Sequence, residues 1–197
     1  MGQARLNLKG VSTLLIDSEQ FTRGLIARML RGFGMDPAKQ FENGESAKIY
    51  LKHNCPDLVL VEAVLPDMPS AELISWIRKQ DKGPTRFVPI IVLTGYTQLR
   101  TVAAARDAGA NNVVKKPVSP QGLFDRITWV ARVARPFIEA GDFVGPDRRF
   151  RQIEPPDGKY KRDTDNAGSE ENAESGGQAT TGTGSEDTNG PALKVAS

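Results

Sequence analysis

Two groups of residues in this chain can do chemistry. The first is scattered along the sequence yet falls at or just after the end of a short apolar run each time. Asp17, Ser18 and Glu19 follow Val11 to Ile16, Glu62 follows Leu58 to Val61, Thr94 and Gly95 follow Ile90 to Leu93, and Lys116 and Pro117 follow Asn112 to Lys115. Carboxylates, a hydroxyl and an ammonium group gathered in this way make at least an ion-pair cluster. The second group is contiguous: Phe143-Val144-Gly145-Pro146-Asp147-Arg148-Arg149-Phe150-Arg151. Gly145 and Pro146 preset a turn, the arginines supply planar forks, and two phenylalanines flank them. Guanidinium groups pair bidentately with phosphate or with the guanine O6/N7 edge, and both they and aromatic rings stack on bases.

Other chemistries have little to work with. Cys55 is the only cysteine, so it forms no internal disulfide, and without a Cys/His cluster it suits neither metal binding nor nucleophilic attack; a buried structural thiol is expected. His53, beside Asn54 near a helix end, fits a capping role. No stretch of about 18 apolar residues occurs, and Met1 to Val11 is too poor in apolar residues for a signal peptide, so a cytoplasmic protein is expected. Of the 197 residues, 39% are hydrophobic and 25% charged, a composition that suits one folded core. The formal +2 conceals an asymmetry. Seven acids and one lysine give residues 163–197 a formal −6, which leaves +8 on residues 1–162 and favours anionic partners for the body.

Hydrophobic periodicity supplies the elements that must position these groups. Val11 to Ile16 reads as a strand and Phe21 to Phe33 as a helix closed by Gly34; Lys39 to Phe41 reads as a short strand and Ser46 to His53 as a helix. Leu58 to Val61 and Ile90 to Leu93 are continuously apolar, as strands buried on both faces are. Ala71 to Gln80, Thr101 to Ala108 and about Pro120 to Arg135 read as helices. Trp76 is expected in the core. Five βα units in series imply a flavodoxin-like α/β fold, a five-stranded parallel sheet with helices on both faces, whose functional residues collect at the strands' carboxyl ends. The domain division expected is 1–135 for this fold, 136–162 for an arginine-rich extension and 163–197 for a disordered acidic low-complexity tail.

The segments Leu-Leu-Ile-Asp-Ser-Glu (14 to 19), Pro-Asp-Leu-Val-Leu-Val-Glu (56 to 62), Leu-Pro-Asp-Met (65 to 68), Pro-Ile-Ile-Val-Leu-Thr-Gly (89 to 95), Ala-Gly-Ala (108 to 110) and Lys-Lys-Pro (115 to 117) resemble, in order, the receiver domain of two-component response regulators. The resemblance runs from Thr13 to about Ala134. It implies a pocket in which paired acids after the first strand and an aspartate after the third hold magnesium, the latter aspartate accepting a phosphoryl group, with Thr94 and Lys116 in the switch positions. Here the pair is Asp17 with Ser18, and the acceptor position is Glu62. A hard cation needs oxygen donors in near-octahedral geometry, so a neutral serine and a lengthened carboxylate weaken the site; Glu19 is the one acid at hand to compensate. In-line transfer also needs a well-placed nucleophile, and the extra methylene moves it by roughly 1.5 Å. No metal is therefore expected. The aromatic residue common three positions before the lysine is replaced by Val113.

Two readings of Glu62 stand side by side. Its carboxylate can mimic the phosphorylated state by reaching Thr94 and Lys116, or it belongs to a leftover ion-pair cluster with Asp17 and Lys116. A charge-assisted hydrogen bond contributes roughly 1.5–3 kcal/mol, whereas turning a 1:99 mixture into 99:1 takes about 5.5 kcal/mol, so Glu62 alone biases such a switch without locking it.

The function expected is an atypical single-domain response regulator, a pseudo-receiver and no enzyme, acting as a protein-interaction adaptor in phosphorelay signalling. The alternative is a phosphorylatable receiver that uses Glu62. Receivers commonly bind partners or dimerise through their fourth and fifth βα units, and Trp129, Val133 and Phe137, at i, i+4 and i+8, offer an aromatic stripe there unless residues beyond Arg135 fold back over it. The second group of residues resembles arginine-rich extensions of single-domain receivers that bind cyclic di-GMP. That resemblance gives Arg148, Arg149 and Arg151 ligand contacts and Asp147 the guanine donors. A protein-docking or fold-back linker, and weak nucleic-acid attraction, stay open beside it. No helix-turn-helix follows the receiver-like region, so neither a DNA-binding domain nor a membrane segment is expected.

Overall fold

Three of the five sheet strands carry the apolar runs that make the core. The computed structural model describes residues 7–80, 83–95, 99–133, 135–140 and 143–147. Strands β1 (Thr13–Ile16), β2 (Lys39–Phe41), β3 (Leu58–Glu62), β4 (Ile90–Thr94) and β5 (Asn112–Lys115) form one parallel sheet in the order β2-β1-β3-β4-β5. Side chains alternate across it. Leu14, Ile16, Val59, Val61, Ile90 and Val92 meet Ala47 and Leu51 of α2 (Gly44–Leu51), Leu73, Ile74 and Ile77 of α3 (Ser70–Arg78) and Ala105 of α4 (Leu99–Asp107). Leu15, Leu58, Leu60, Ile91 and Leu93 meet Ile26 and Leu30 of α1 (Gln20–Gly32) and Leu123, Ile127 and Val130 of α5 (Pro120–Arg132). Each aliphatic side chain fully removed from water contributes about 1.5–3 kcal/mol, which is why both strand faces are apolar. Trp76 packs partly buried against the first cluster.

Because β1 pairs with β2 on one side and β3 on the other, the strand order reverses there and a crevice opens at the carboxyl ends. The expected flavodoxin-like arrangement is present. No helix of the described residues is long and apolar enough to cross a membrane.

The region after α5 departs from expectation. The helix ends at Arg132, three residues early, because Val133 leaves helical backbone and Pro136 follows. Phe137 therefore sits not on a helical stripe with Trp129 and Val133 but in β6 (Phe137–Ala140), paired antiparallel with β7 (Phe143–Pro146). This hairpin folds back onto the domain. Phe137 packs edge-on to Phe87 at 5.3 Å, Glu139 pairs with Arg86, and the amide of Asp147 donates to the Pro136 carbonyl at 2.8 Å. Gly109, at φ +103 just after α4, leaves room for this approach: a Cβ there would lie 2.6 Å from the Val144 carbonyl oxygen and 3.1 Å from Arg78 Cγ. Strands β6 and β7 thus pack against the expected 1–135 domain. Cys55 is another difference, since it is exposed rather than buried. His53 is exposed as well, and the end of α2 is closed by the Asn54 side chain, whose amide donates to the Tyr50 carbonyl at 2.9 Å.

Candidate functional site

Parallel pairing in register brings the strand-end residues together. Ile16 pairs with Val61 and Thr94 with Lys115, so Asp17, Glu62, Thr94 and Lys116 share the carboxyl edge of the sheet. Asp17 is 2% exposed and Glu62 8%, and the Lys116 ammonium bridges them: its Nζ donates to Asp17 Oδ2 at 2.5 Å and to Glu62 Oε2. Burial alone would lower the lysine's pKa. The hydrogen bonds to Asp17 and Glu62 outweigh it and hold Lys116 above its ordinary value, so the ammonium stays charged. The Lys116 amide donates to the Thr94 carbonyl at 2.8 Å, which fixes the lysine's backbone to β4, and the Thr94 side chain is buried at 1%.

The remaining carboxylate oxygens are occupied too. Glu62 Oε1 accepts from the amide of Ala63 at 2.9 Å, so the longer side chain curls onto its own backbone, and Asp17 Oδ1 accepts from the Glu19 amide at 2.9 Å. The other two residues expected in the acidic pocket do not join it. Ser18 is exposed. Glu19 is the N-cap of α1, accepting from the amides of Phe21 and Thr22 and from the Thr22 hydroxyl, bonds that lower its pKa.

Several supporting residues escaped the sequence reading. Arg23, buried in α1, donates to the Asp17 carbonyl at 2.5 Å and pairs with Glu42 at 2.9 Å, tying the loops after β1 and β2 together. Asp67 accepts from the amides of Gly44 and Glu45 at 2.9 and 2.8 Å and so caps α2 from the loop after β3. Partial burial raises its pKa, but these bonds outweigh the effect and the net shift is downward. Arg78 is a fully buried arginine at the opposite end of α3 from the cluster. Its guanidinium donates to the carbonyls of Gly109, Arg86 and Val88 and to Asn111 Oδ1. A basic residue at the end of an amphipathic pattern carries no signal for this; its acceptors lie on other elements.

Magnesium does not fit this donor set. The two inward carboxylates already share an ammonium, the serine is neutral, and the neighbouring glutamate is engaged as a helix cap. Among the described residues no group of three or more His, Cys, Asp or Glu is placed to hold a metal ion. Of the second group of candidates, Asp147 lies beside Arg135, whose guanidinium stacks 4.6 Å from the Trp129 ring centroid; burial lowers the pKa of Arg135 and the Asp147 charge opposes this. Arg148, Arg149 and Arg151 lie outside the described residues, as does the expected tail at 163–197.

Comparison with known proteins follows the same region. A family model described as the response regulator receiver domain matches residues 13–128. An uncharacterized 14.6 kDa protein from the sodA1 3′ region of Leptolyngbya boryana is 32% identical over 116 residues, covering 59% of this chain and 86% of that protein. The DNA-binding response regulator MtrA of Mycolicibacterium smegmatis is 32% identical over 114 residues, 58% of this chain, which spans about half the length of that relative (47%). Among solved structures, a putative response regulator from Chloroflexus aurantiacus superposes with a TM-score of 0.57 at 28% identity, covering 61% of this chain and 96% of that one. The receiver domain of a sensor histidine kinase from Pseudomonas aeruginosa, crystallised with magnesium in its active-site cleft, gives 0.55 at 26% identity, covering 61% and 95%.

Proposed function

Because this chain belongs to the response regulator receiver domain family, we propose that it works in two-component signalling as a pseudo-receiver, a cytoplasmic adaptor that signals through shape and charge without taking up a phosphoryl group. One observation carries this reading: the Lys116 ammonium is shared by Asp17 and Glu62, and the other Glu62 oxygen accepts from the Ala63 amide, so the carboxylate at the acceptor position is engaged rather than free as a nucleophile. Incubating the full chain with acetyl phosphate and magnesium, then measuring intact mass, is expected to leave the mass unchanged. A stable phosphoryl adduct lost on Glu62→Gln would overturn the proposal in favour of a phosphorylatable receiver using Glu62.

The output of such an adaptor is a protein contact, either with another protein or with a second copy, through the fourth and fifth βα units. Leu99 is 88% exposed at the start of α4, and β5 is an edge strand of the sheet. The arginine-rich extension adds a ligand. Arg148, Arg149 and Arg151 supply phosphate- and guanine-pairing forks and Asp147 a carboxylate for guanine donors, the combination that cyclic di-GMP requires. Titration of the full chain with cyclic di-GMP at physiological salt is expected to saturate, and Arg148→Ala with Arg149→Ala to abolish it. Absence of binding, or equal binding by the double variant, removes the nucleotide from the function and leaves the extension as a docking linker; binding that falls steeply with salt and ignores guanine marks general nucleic-acid attraction instead.

A further inference from the structure

A cavity of about 310 Å³ opens between the start of α3 and α4, lined at β3 by Ala63, the residue after Glu62. Its volume is at the lower end of the roughly 300–1,000 Å³ typical of small-molecule sites. The walls are apolar and small: Ala63 and Val64 on the loop after β3, Ala104 and Ala105 on α4. Alanine in these places leaves space that a larger side chain would fill.

Three polar residues, Ser70, Arg100 and Thr101, share the lining. Ser70 is 2% exposed, lines the cavity, and its hydroxyl makes no hydrogen bond among the described residues; only its amide is used, donating to the Ala63 carbonyl at 3.0 Å. A buried hydroxyl gains from a partner, and here the space beside it is open. Ser70 is also the first residue of α3, whose N-cap Pro69 provides no side-chain acceptor. The acid in the first turn, Glu72, lies 3.8 Å from Lys48 of α2, so its charge is drawn to the neighbouring helix. Arg100 lines the same cavity from α4 and adds positive charge alongside the interaction it already makes.

We infer that this cavity binds a small monocarboxylate with an apolar body, its carboxylate at Ser70, Arg100 and the start of α3, its body against Val64, Ala104 and Ala105. The helix's positive end, a hydroxyl donor and a guanidinium all favour one anionic group. The alanine walls disfavour a second, because a further charge would be buried without a partner. Inorganic phosphate leaves the apolar volume empty. This site is independent of the arginine-rich extension and of whether Glu62 mimics phosphorylation.

The test uses the full chain, labelled with ¹⁵N and titrated with benzoate, with benzyl alcohol as the neutral match and acetate as the match without an apolar body. Benzoate is expected to give saturable shifts at the amides of Ala63, Ser70, Ala71, Thr101 and Ala104, and both controls to bind at least roughly tenfold more weakly. Ala104→Phe, at a surface position of α4, is expected to fill the cavity and abolish binding; its fold is read from the same spectrum. Ser70→Ala and Arg100→Gln are each expected to weaken binding several-fold and decide the matter if Ala104→Phe does not fold. Shifts that fail to saturate or appear elsewhere, benzyl alcohol or acetate binding as tightly as benzoate, or undiminished benzoate binding in the variants, overturn the inference.

Discussion

Replacing Arg78 by methionine is expected to destabilise the domain by about 3–5 kcal/mol and to lower its melting temperature by roughly 10 °C. The side chain is 1% exposed and its five hydrogen bonds all run to neutral acceptors: the Gly109 carbonyl twice, the Arg86 and Val88 carbonyls, and Asn111 Oδ1. Methionine fills much of the volume but donates nothing, so the Gly109, Arg86 and Val88 carbonyls lose these donors, at about 1–3 kcal/mol for each that water does not reach, while Asn111 Oδ1 keeps the Ile90 amide at 2.9 Å. Burial without a carboxylate pushes the guanidinium down to about 9, which still leaves it protonated at neutral pH and able to donate all five. Lysine retains the charge but not the planar fork, so Arg78→Lys is expected to fall between methionine and wild type. Phe137 of the hairpin covers the guanidinium at 5.0 Å, and a chain ending at Arg135 is expected to lose part of the same stability. Thermal melts of the variants and of chains ending at residues 135 and 147 check this; a methionine variant within about 3 °C of wild type, or equal melting of the two shortened chains, contradicts it.

These two features also mark the limit of what the sequence discloses. The sheet was legible because Leu58 to Val61 and Ile90 to Leu93 are apolar on both faces, a pattern that only a central parallel strand requires. The cluster was legible for a related reason: parallel strands in register deliver every strand-end residue to one edge, so Asp17, Glu62 and Lys116 meet although 99 positions separate the first from the last. Arg78 could not be read this way. It stands between Ile77 and Lys79 like any solvent-facing position, and what buries it is supplied by Gly109 and a hairpin far along the chain. The hairpin left a signal of its own, two short apolar runs separated by Gly141-Asp142, a pair suited to a two-residue connection. The four-residue spacing of Trp129, Val133 and Phe137 concealed it by continuing the helical pattern past Pro136. Glu19 misled for a local reason, since Ser18 is the more usual N-cap residue and the glutamate's longer reach let it take that role.

Lys116→Met provides the second large effect, and a double variant identifies the cause. Without the ammonium, Asp17 and Glu62 face each other while buried and uncompensated, at about 3 kcal/mol of stability at pH 7. In the wild type the pH dependence of this cluster belongs to the lysine. Lys116 is held above its ordinary 10.5, so its attraction is complete below that value and fades only as the pH climbs through the raised one; stability near neutrality is insensitive to this group. Adding Glu62→Gln to Lys116→Met leaves one buried charge instead of two and is expected to restore much of the loss at pH 7, a coupling that denaturant melts of the four chains measure directly. The single Glu62→Gln chain then separates the two roles of the glutamate. If its charge biases a switch, amide shifts extend into α4 and β5; if it only balances Lys116, they stop at Asp17, Ala63 and Lys116, and the adaptor's output rests on its surface alone.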